Sequence, residues 1–129
     1  MNTTEPKAVS IARAHVEAWS NHDYETARKG LAGDVTVTAT STMPGSPRTN
    51  LAGADDYMHG LIEFAKTVVP GSLRVNASVG DDRNALLLVT VNTQGPPFGP
   101  MTLPAARLYL LDEHDKIKNE QVIFYGVPD

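Results

Sequence analysis

The sequence contains no cysteine, which excludes disulfide bonds and thiolate metal sites and favours a reducing compartment. No apolar run approaches the roughly 18 residues of a membrane span, so we expect no membrane association. The formal net charge is −4, and no basic stripe is present that would bind nucleic acid. The first ten residues lack the basic and apolar regions of a secretion signal, and a cytoplasmic location is expected.

Motifs for metals, phosphates and nucleophiles are also absent. The four histidines show no i, i+4 spacing, so we expect no metal. No nucleophile elbow of the GxSxG type and no phosphate loop ending in Gly-Lys-Ser/Thr occur, so we expect no cofactor. The length of 129 residues predicts a single domain over residues 1–129.

The order of predicted elements is two helices, a strand, a third helix and four further strands. Apolar side chains at spacings of three and four predict helices over 5–20, 24–31 and 54–68. Alternating apolar and polar side chains predict strands over 34–42, 72–79, 85–93, 103–111 and 116–125. The intervening segments 43–50 and 94–100 are interpreted as loops.

This order predicts an α+β fold, a cone-shaped, curled antiparallel sheet with three helices on its concave face that enclose a pocket. The outward face of the sheet is also predicted to be apolar. Strand 85–93 is apolar on both sides, because Leu87, Val89 and Val91 alternate with Leu86 and Leu88. The outward set also includes Ala106, Leu108, Leu110, Ile117, Ile123 and Tyr125. A monomer rarely exposes so large an apolar surface. We therefore expect a homodimer formed through the outer sheet face.

Four segments, in their order and spacing, resemble the nuclear transport factor 2-like superfamily. They are "ARAHVEAWSNHDYETA" (12–27), "LAGDVTVTA" (31–39), "LAGADDYMHGLIEF" (51–64) and "LDEHDKIKNEQVIFY" (111–125). The superfamily includes ketosteroid isomerases, limonene-epoxide hydrolase and SnoaL-like polyketide cyclases. The resemblance implies the cone fold, a pocket and a dimer, but the fold hosts many chemistries.

The residues that the resemblance places at the family's catalytic positions differ from the family's own. The tyrosine, base aspartate and second oxyanion-donor aspartate of ketosteroid isomerases correspond to His15, Ala39 and Arg107. The aspartate of SnoaL-like cyclases and limonene-epoxide hydrolase corresponds to Val122. Because Ala39 cannot act as a base, we do not expect isomerisation by the ketosteroid isomerase mechanism.

The last predicted hairpin supplies a carboxylate of its own. A turn centred between Glu113 and His114 places Arg107 directly opposite Glu120 on the concave face. That face also carries Tyr109, Val122 and Phe124. A buried charge needs a partner, and the planar arginine fork suits a carboxylate. Burial favours the protonated form of Glu120, whereas the arginine favours the carboxylate. Three roles for Glu120 are therefore open: a general base, a substrate anchor, or one half of a purely structural ion pair.

His15 lies on the apolar stripe of the first helix, either as a core residue or as a hydrogen-bond donor in the pocket. We take Glu120, Arg107 and His15 as the candidate catalytic residues. The candidate substrate-binding residues are Trp19, Tyr57, Phe64, Tyr109, Val122 and Phe124. Together they favour a cofactor-free isomerase, cyclase or hydrolase acting on a mostly apolar polyketide-, terpenoid- or steroid-like substrate. The alternative is a non-catalytic, dimeric protein that binds a small ligand.

Overall fold

The computed structural model describes residues 5–41, 49–96 and 99–125. Within these residues the chain forms three helices, α1 Lys7–Ser20, α2 Tyr24–Lys29 and α3 Ala54–Ala65. The strands of the same residues are β1 Leu31–Ser41, β2 Thr49–Ala52, β3 Arg74–Gly80, β4 Asn84–Thr93, β5 Met101–Leu111 and β6 Ile117–Phe124. They form one sheet in the order β2-β1-β6-β5-β4-β3.

The predicted α+β class is confirmed. The sheet curls without closing, α1 packs on β3, β4 and β5, and α3 packs on β1 and β2. One feature of the prediction is wrong: the sheet is not wholly antiparallel, because β1 runs parallel to β6. An alternating pattern shows that a strand is half-buried, but it carries no information on the direction of its partner.

The strand β2 was not predicted. It pairs antiparallel with β1, with Leu51 opposite Val37, where the sequence indicated the end of a loop. Four residues at a sheet edge are too few to show a period of two. The rest of that predicted loop, residues 43–48, lies outside the described residues, as do residue 42 at the end of the predicted strand and residues 97–98 of the second loop.

Two of the helices, α2 and α3, end earlier than their apolar patterns suggest, whereas α1 ends at Ser20 as predicted. The helix α2 ends at Lys29, and Leu31 already belongs to β1. The helix α3 ends at Ala65, although Val68 is fully buried and forms an isolated bridge with Thr93. Pro70 follows closely, and a proline disfavours helical geometry in the residue before it. Burial of Val68 therefore comes from the sheet and not from a longer helix.

The register of the β5–β6 hairpin differs from the prediction by two residues. Arg107 lies opposite Val122, and Tyr109 lies opposite Glu120, so Arg107 and Glu120 are diagonal neighbours instead of direct partners. A shift of two keeps every side chain on its face, since side chains alternate with a period of two. The prediction that Arg107 and Glu120 share the inner face is confirmed.

Two features of the chain reversal cause this shift. The connection between Leu111 and Ile117 has five residues instead of four, and Asp115 adopts a positive φ of 61° within it. An irregularity then adds one residue on β6 before Asn119 pairs with Leu110. The same irregularity turns Ile117 inward, where it is fully buried, so its predicted outward position is wrong.

The outer face of the sheet keeps several apolar side chains in contact with solvent. The exposed fractions are 64% for Val79, 40% for Leu108 and 45% for Ile123. The inner face is the core, where the helices cover fully buried residues such as Leu87 and Tyr109. Among the described helices, none is long and apolar enough to cross a membrane.

Candidate functional site

Glu120 lies on the inner face of β6, with 2% of its surface exposed. Its Oε2 atom accepts a hydrogen bond from Nη1 of Arg107 at 3.0 Å, which makes the two residues a buried ion pair. Its Oε1 atom accepts a hydrogen bond from the Tyr57 hydroxyl. Both carboxylate oxygens are therefore partnered, as a buried negative charge requires.

Arg107, on β5, is held among aromatic rings. Its Cζ atom lies 4.7 Å from the ring centre of Trp19, 5.7 Å from that of Phe64 and 6.0 Å from that of Phe124. The faces of aromatic rings attract a cation at such distances. Burial alone lowers the pKa of Arg107, but the adjacent tyrosines and Glu120 outweigh it and raise the pKa, so the guanidinium is charged.

Tyr57 links this ion pair to the first helix. It lies near the start of α3, and its hydroxyl is bonded to Glu120 on one side and lies 3.0 Å from Nε2 of His15 on the other. Burial, reinforced by the negative charge of Glu120, raises the pKa of Tyr57 well above its ordinary value. The phenol therefore keeps its proton and can donate it to only one of its two neighbours.

His15 is buried on α1, and its Nδ1 lies 3.2 Å from the carbonyl oxygen of Ala27. Because a carbonyl only accepts, Nδ1 carries a hydrogen, and Nε2 of the neutral ring turns its lone pair towards Tyr57. Burial lowers the pKa of His15 below its ordinary value, and the charge of Glu120 opposes this only in part. The resting form of the imidazole is therefore neutral.

A cavity of about 210 Å³ lies between α3 and the part of the sheet formed by β1, β2, β5 and β6. Tyr57, Arg107 and Glu120 form a polar portion of its wall. Apart from Thr49, its other lining residues are apolar or glycine, namely Val37, Ala39, Leu51, Gly60, Leu61, Phe64, Val122 and Phe124. A mostly apolar cavity with a few converging polar groups is typical of small-molecule sites.

Six of the nine predicted site residues line this cavity: Tyr57, Phe64, Arg107, Glu120, Val122 and Phe124. The other three lie behind its wall. Trp19 is fully buried beneath the Arg107 guanidinium, and Tyr109 is fully buried opposite Glu120. His15 reaches the cavity only through the Tyr57 hydroxyl.

Tyr57 and Phe64 of α3 were predicted as site residues, but the contributions of Gly60 and Leu61 on α3 and of Thr49 and Leu51 on β2 were not. A Cβ atom on Gly60 would lie 2.6 Å from Cδ1 of Leu51, so the glycine lets α3 approach β2 closely. The contribution of β1 was accessible from the sequence, because Val37 and Ala39 lie on the apolar face of its alternating pattern. The residues of β2 had no such signal, since the strand itself was not predicted.

The described residues contain no group of three histidine, aspartate or glutamate side chains placed to hold a metal ion. Besides Thr49, the residues that line the cavity supply three polar groups, namely a carboxylate, a guanidinium and a phenol. Such a set can transfer a proton and stabilise a negatively charged oxygen.

No protein-family model matches the sequence, and no curated protein does. Solved structures do resemble it. A protein from Kribbella flavida is 26% identical, with a TM-score of 0.75 over 92% of this chain and 86% of its own. A protein from Shewanella denitrificans, assigned as a SnoaL-like polyketide cyclase, is 14% identical, with a TM-score of 0.71 over 93% of this chain and 91% of its own.

A third similar structure is a protein with a ketosteroid isomerase-like fold from Catenulispora acidiphila, solved in complex with trimethylamine. It is 13% identical, with a TM-score of 0.66 over 87% of this chain and 82% of its own. At such identities the likeness concerns the fold. The predicted resemblance to the nuclear transport factor 2-like superfamily is confirmed at that level.

Proposed function

We propose that this chain, which has the nuclear transport factor 2-like fold, is a cofactor-independent enzyme of acid–base chemistry. Its substrate would be a small, mostly apolar molecule with a carbonyl group, of polyketide, terpenoid or steroid type, and its reaction an isomerisation, cyclisation or hydrolysis. The observation that carries the proposal is the Glu120 carboxylate in the wall of an apolar cavity, hydrogen-bonded by both Arg107 and Tyr57.

The positions of the family's acids support this proposal. Ala39 and Val122, which correspond to those acids, are paired neighbours on β1 and β6, and both line the cavity. Glu120 lies two residues before Val122, on the same face of β6. A carboxylate is therefore present in the same cavity, displaced along the strand by one inward position. We infer from this displacement that the substrate binds in a different position relative to the carboxylate than in the family's enzymes, and not that the site has been lost.

Each polar group has a role in the proposed chemistry. Glu120 accepts a proton from the carbon next to the substrate carbonyl. Arg107 stabilises the oxygen that becomes negative, because fixed charges and donors act strongly where water is excluded. Tyr57 holds the Glu120 carboxylate in place through its hydroxyl. His15, predicted either as a core residue or as a hydrogen-bond donor in the pocket, acts through Tyr57 in this proposal, since it contacts that hydroxyl and does not line the cavity.

A test of acid–base activity does not require the natural substrate. Small cyclic ketones such as cyclohexanone and 2-tetralone exchange their α-hydrogens for deuterium in D₂O, and NMR follows the rate. We expect the protein to accelerate this exchange. Glu120→Gln should lose about 100-fold or more, the range found for general acid–base groups. Glu113→Gln changes the same chemistry at an exposed corner of the hairpin and should retain the wild-type rate.

The second candidate is a non-catalytic protein that binds a small ligand. It is favoured by the fact that both oxygens of Glu120 are already hydrogen-bonded, which stabilises the carboxylate as an anchor. The exchange experiment separates the two. Saturable binding of a ketone without any acceleration of exchange would select the binding protein and contradict the enzyme.

We also propose that two copies associate through the outer sheet face, in the cytoplasm. The exposed Val79, Leu108 and Ile123 support the association, because such a surface is uncommon on a monomer. Light scattering at micromolar concentration should give a dimer mass, and Ile123→Lys should reduce it to the monomer. A monomeric wild-type protein under these conditions would contradict the proposal.

A further inference from the structure

A chain of hydrogen-bonding groups runs from the cavity into the protein interior. It begins at Oε1 of Glu120, passes through the Tyr57 hydroxyl to Nε2 of His15, and ends where Nδ1 of His15 faces the carbonyl oxygen of Ala27. These groups lie on β6, α3, α1 and α2 respectively. All three side chains are buried.

Three hydrogen atoms are needed to fill the three hydrogen bonds of this chain. A carboxylate, a phenol and a neutral imidazole supply only two. Nδ1 must use one of them on Ala27, and Tyr57 has one to offer to Glu120 or to His15. In the resting state the bond to the charged carboxylate takes precedence, since charge-assisted hydrogen bonds are the stronger ones. Nε2 of His15 then faces an oxygen with no hydrogen between them.

One added proton completes the chain in either of two ways. With the proton on Glu120, that residue donates to Tyr57, and Tyr57 donates to Nε2 of His15. With the proton on His15, the imidazolium donates to Tyr57, and Tyr57 donates to Glu120. The two arrangements differ only in the direction of two hydrogen bonds. The heavy atoms are already in place for both.

We propose that Glu120, Tyr57 and His15 form a proton relay in which His15 takes up, through Tyr57, the proton that Glu120 removes from the substrate. This inference rests on the proposed function. A substrate C–H bond breaks and an O–H bond forms on Glu120, while the electron pair remains on the substrate as an enolate beside Arg107. Glu120 then gives its proton to the Tyr57 oxygen as Tyr57 gives its own to Nε2. The reverse steps return the proton to the product.

The charges around His15 fit a temporary acceptor. Glu120 attracts the imidazolium, Arg107 repels it, the Ala27 carbonyl holds Nδ1–H, and the buried phenols of Tyr57 and Tyr109 border the ring. Burial keeps the ring neutral at rest, so Nε2 is free to accept. Transfer of the proton to His15 restores the carboxylate next to Arg107. His15 is thus a positioning and proton-holding residue that does not touch the substrate.

The first test needs no substrate. In protein with ¹⁵N-labelled histidine, the neutral His15 ring, assigned by its loss in His15→Gln, should carry hydrogen on Nδ1 and none on Nε2. On acidification Nε2 should become protonated, and the pH of half-protonation should fall in both Tyr57→Phe and Glu120→Gln. Hydrogen on Nε2 of the neutral ring, or a titration unaffected by both substitutions, would overturn the relay.

The second test uses the ketone exchange assay. His15→Gln retains an amide oxygen that can accept from Tyr57, but it cannot take up a proton. A purely structural role of His15 predicts normal exchange in this variant, whereas the relay predicts a loss of about 10-fold or more with unchanged ketone affinity. Tyr57→Phe should lose at least as much, and the double variant no more than Tyr57→Phe alone. An exchange rate in His15→Gln equal to that of the unmodified protein would overturn the relay. If the unmodified protein does not catalyse exchange, the proposed function is contradicted. The histidine titration of the first test then decides the relay.

Discussion

Two ion pairs in this protein have the same length, but one is buried and the other is exposed to solvent. Nη1 of Arg107 and Oε2 of Glu120 are 3.0 Å apart, with side chains that are 4% and 2% exposed. Nζ of Lys66 and Oε2 of Glu63 are also 3.0 Å apart, with side chains that are 63% and 61% exposed. Water competes with the exposed pair and screens it, so its contribution is small. The buried pair lacks that solvent, and each of its charges depends on the other.

The comparison shows why the inner pair is a candidate site and the outer one is not. Burying a carboxylate away from water is energetically unfavourable, and a core can pack without one. Here the interactions with an arginine and a tyrosine offset the lost hydration. The same three groups lie in the wall of an apolar cavity. The exposed pair joins two residues one helical turn apart at the end of α3 and has no cavity near it among the described residues.

The largest expected effect is on the buried pair. Arg107→Ala should lower the free energy of unfolding by about 3–5 kcal/mol, because it leaves a buried carboxylate without its cation. Lys66→Ala, the matched change at the exposed pair, should leave stability almost unchanged. Denaturant titration with a constant m-value measures both. Similar effects for the two variants would show that burial does not distinguish the pairs.

A smaller loss is expected for Glu120→Gln. The amide keeps the shape of the side chain and can still accept from Tyr57 or from Arg107, but it leaves the guanidinium without a full counter-charge. We expect a loss of about 1–3 kcal/mol, the usual range for an imperfectly satisfied buried group, with the fold retained. Circular dichroism and denaturant titration check this. An unfolded variant would mean that Glu120 acts mainly as a structural support.

The smallest effect should appear in the pH dependence of stability. His15 has a lowered pKa in the folded protein, so the unfolded chain takes up a proton at a higher pH than the folded one. The contribution of neutral His15 to the free energy of unfolding is complete above the pKa of histidine in the unfolded chain, about 6.5. It is lost as the pH falls below that pKa, by at most about 1.4 kcal/mol per pH unit. His15→Gln should remove this component between pH 8 and pH 5. Parallel stability curves for both proteins would contradict it.

Some parts of the site were predictable from sequence for a simple reason. A hairpin register that is wrong by two still assigns Arg107 and Glu120 to the correct face, so their burial and pairing followed from alternation alone. Apart from β2, the order of helices and strands likewise followed from the two hydrophobic periods. Within this hairpin, the length of the turn and the irregularity on β6 were missed, because a local insertion leaves the apolar pattern almost intact.

The contact between Tyr57 and Glu120 could not be predicted in this way. It joins residues 63 positions apart and depends on how closely α3 approaches the sheet. That approach depends on Gly60 and on β2, which has no pattern of its own. The parallel pairing of β1 with β6 is equally a property of the assembled sheet. Alternation assigns a side chain to a face, but the neighbour that it meets there is decided by tertiary packing.

The central claim is that the buried Arg107–Glu120 pair is part of a ligand site and not only a brace of the hairpin. The most direct measurement follows the side-chain carboxyl resonances of ¹³C-labelled glutamates while 2-tetralone is added to saturation, with Glu120 assigned by its loss in Glu120→Gln. We predict that the Glu120 resonance shifts and that the resonance of Glu63 does not. An unchanged Glu120 resonance while the ketone binds elsewhere, or the absence of any binding by a series of small cyclic ketones, would contradict the account.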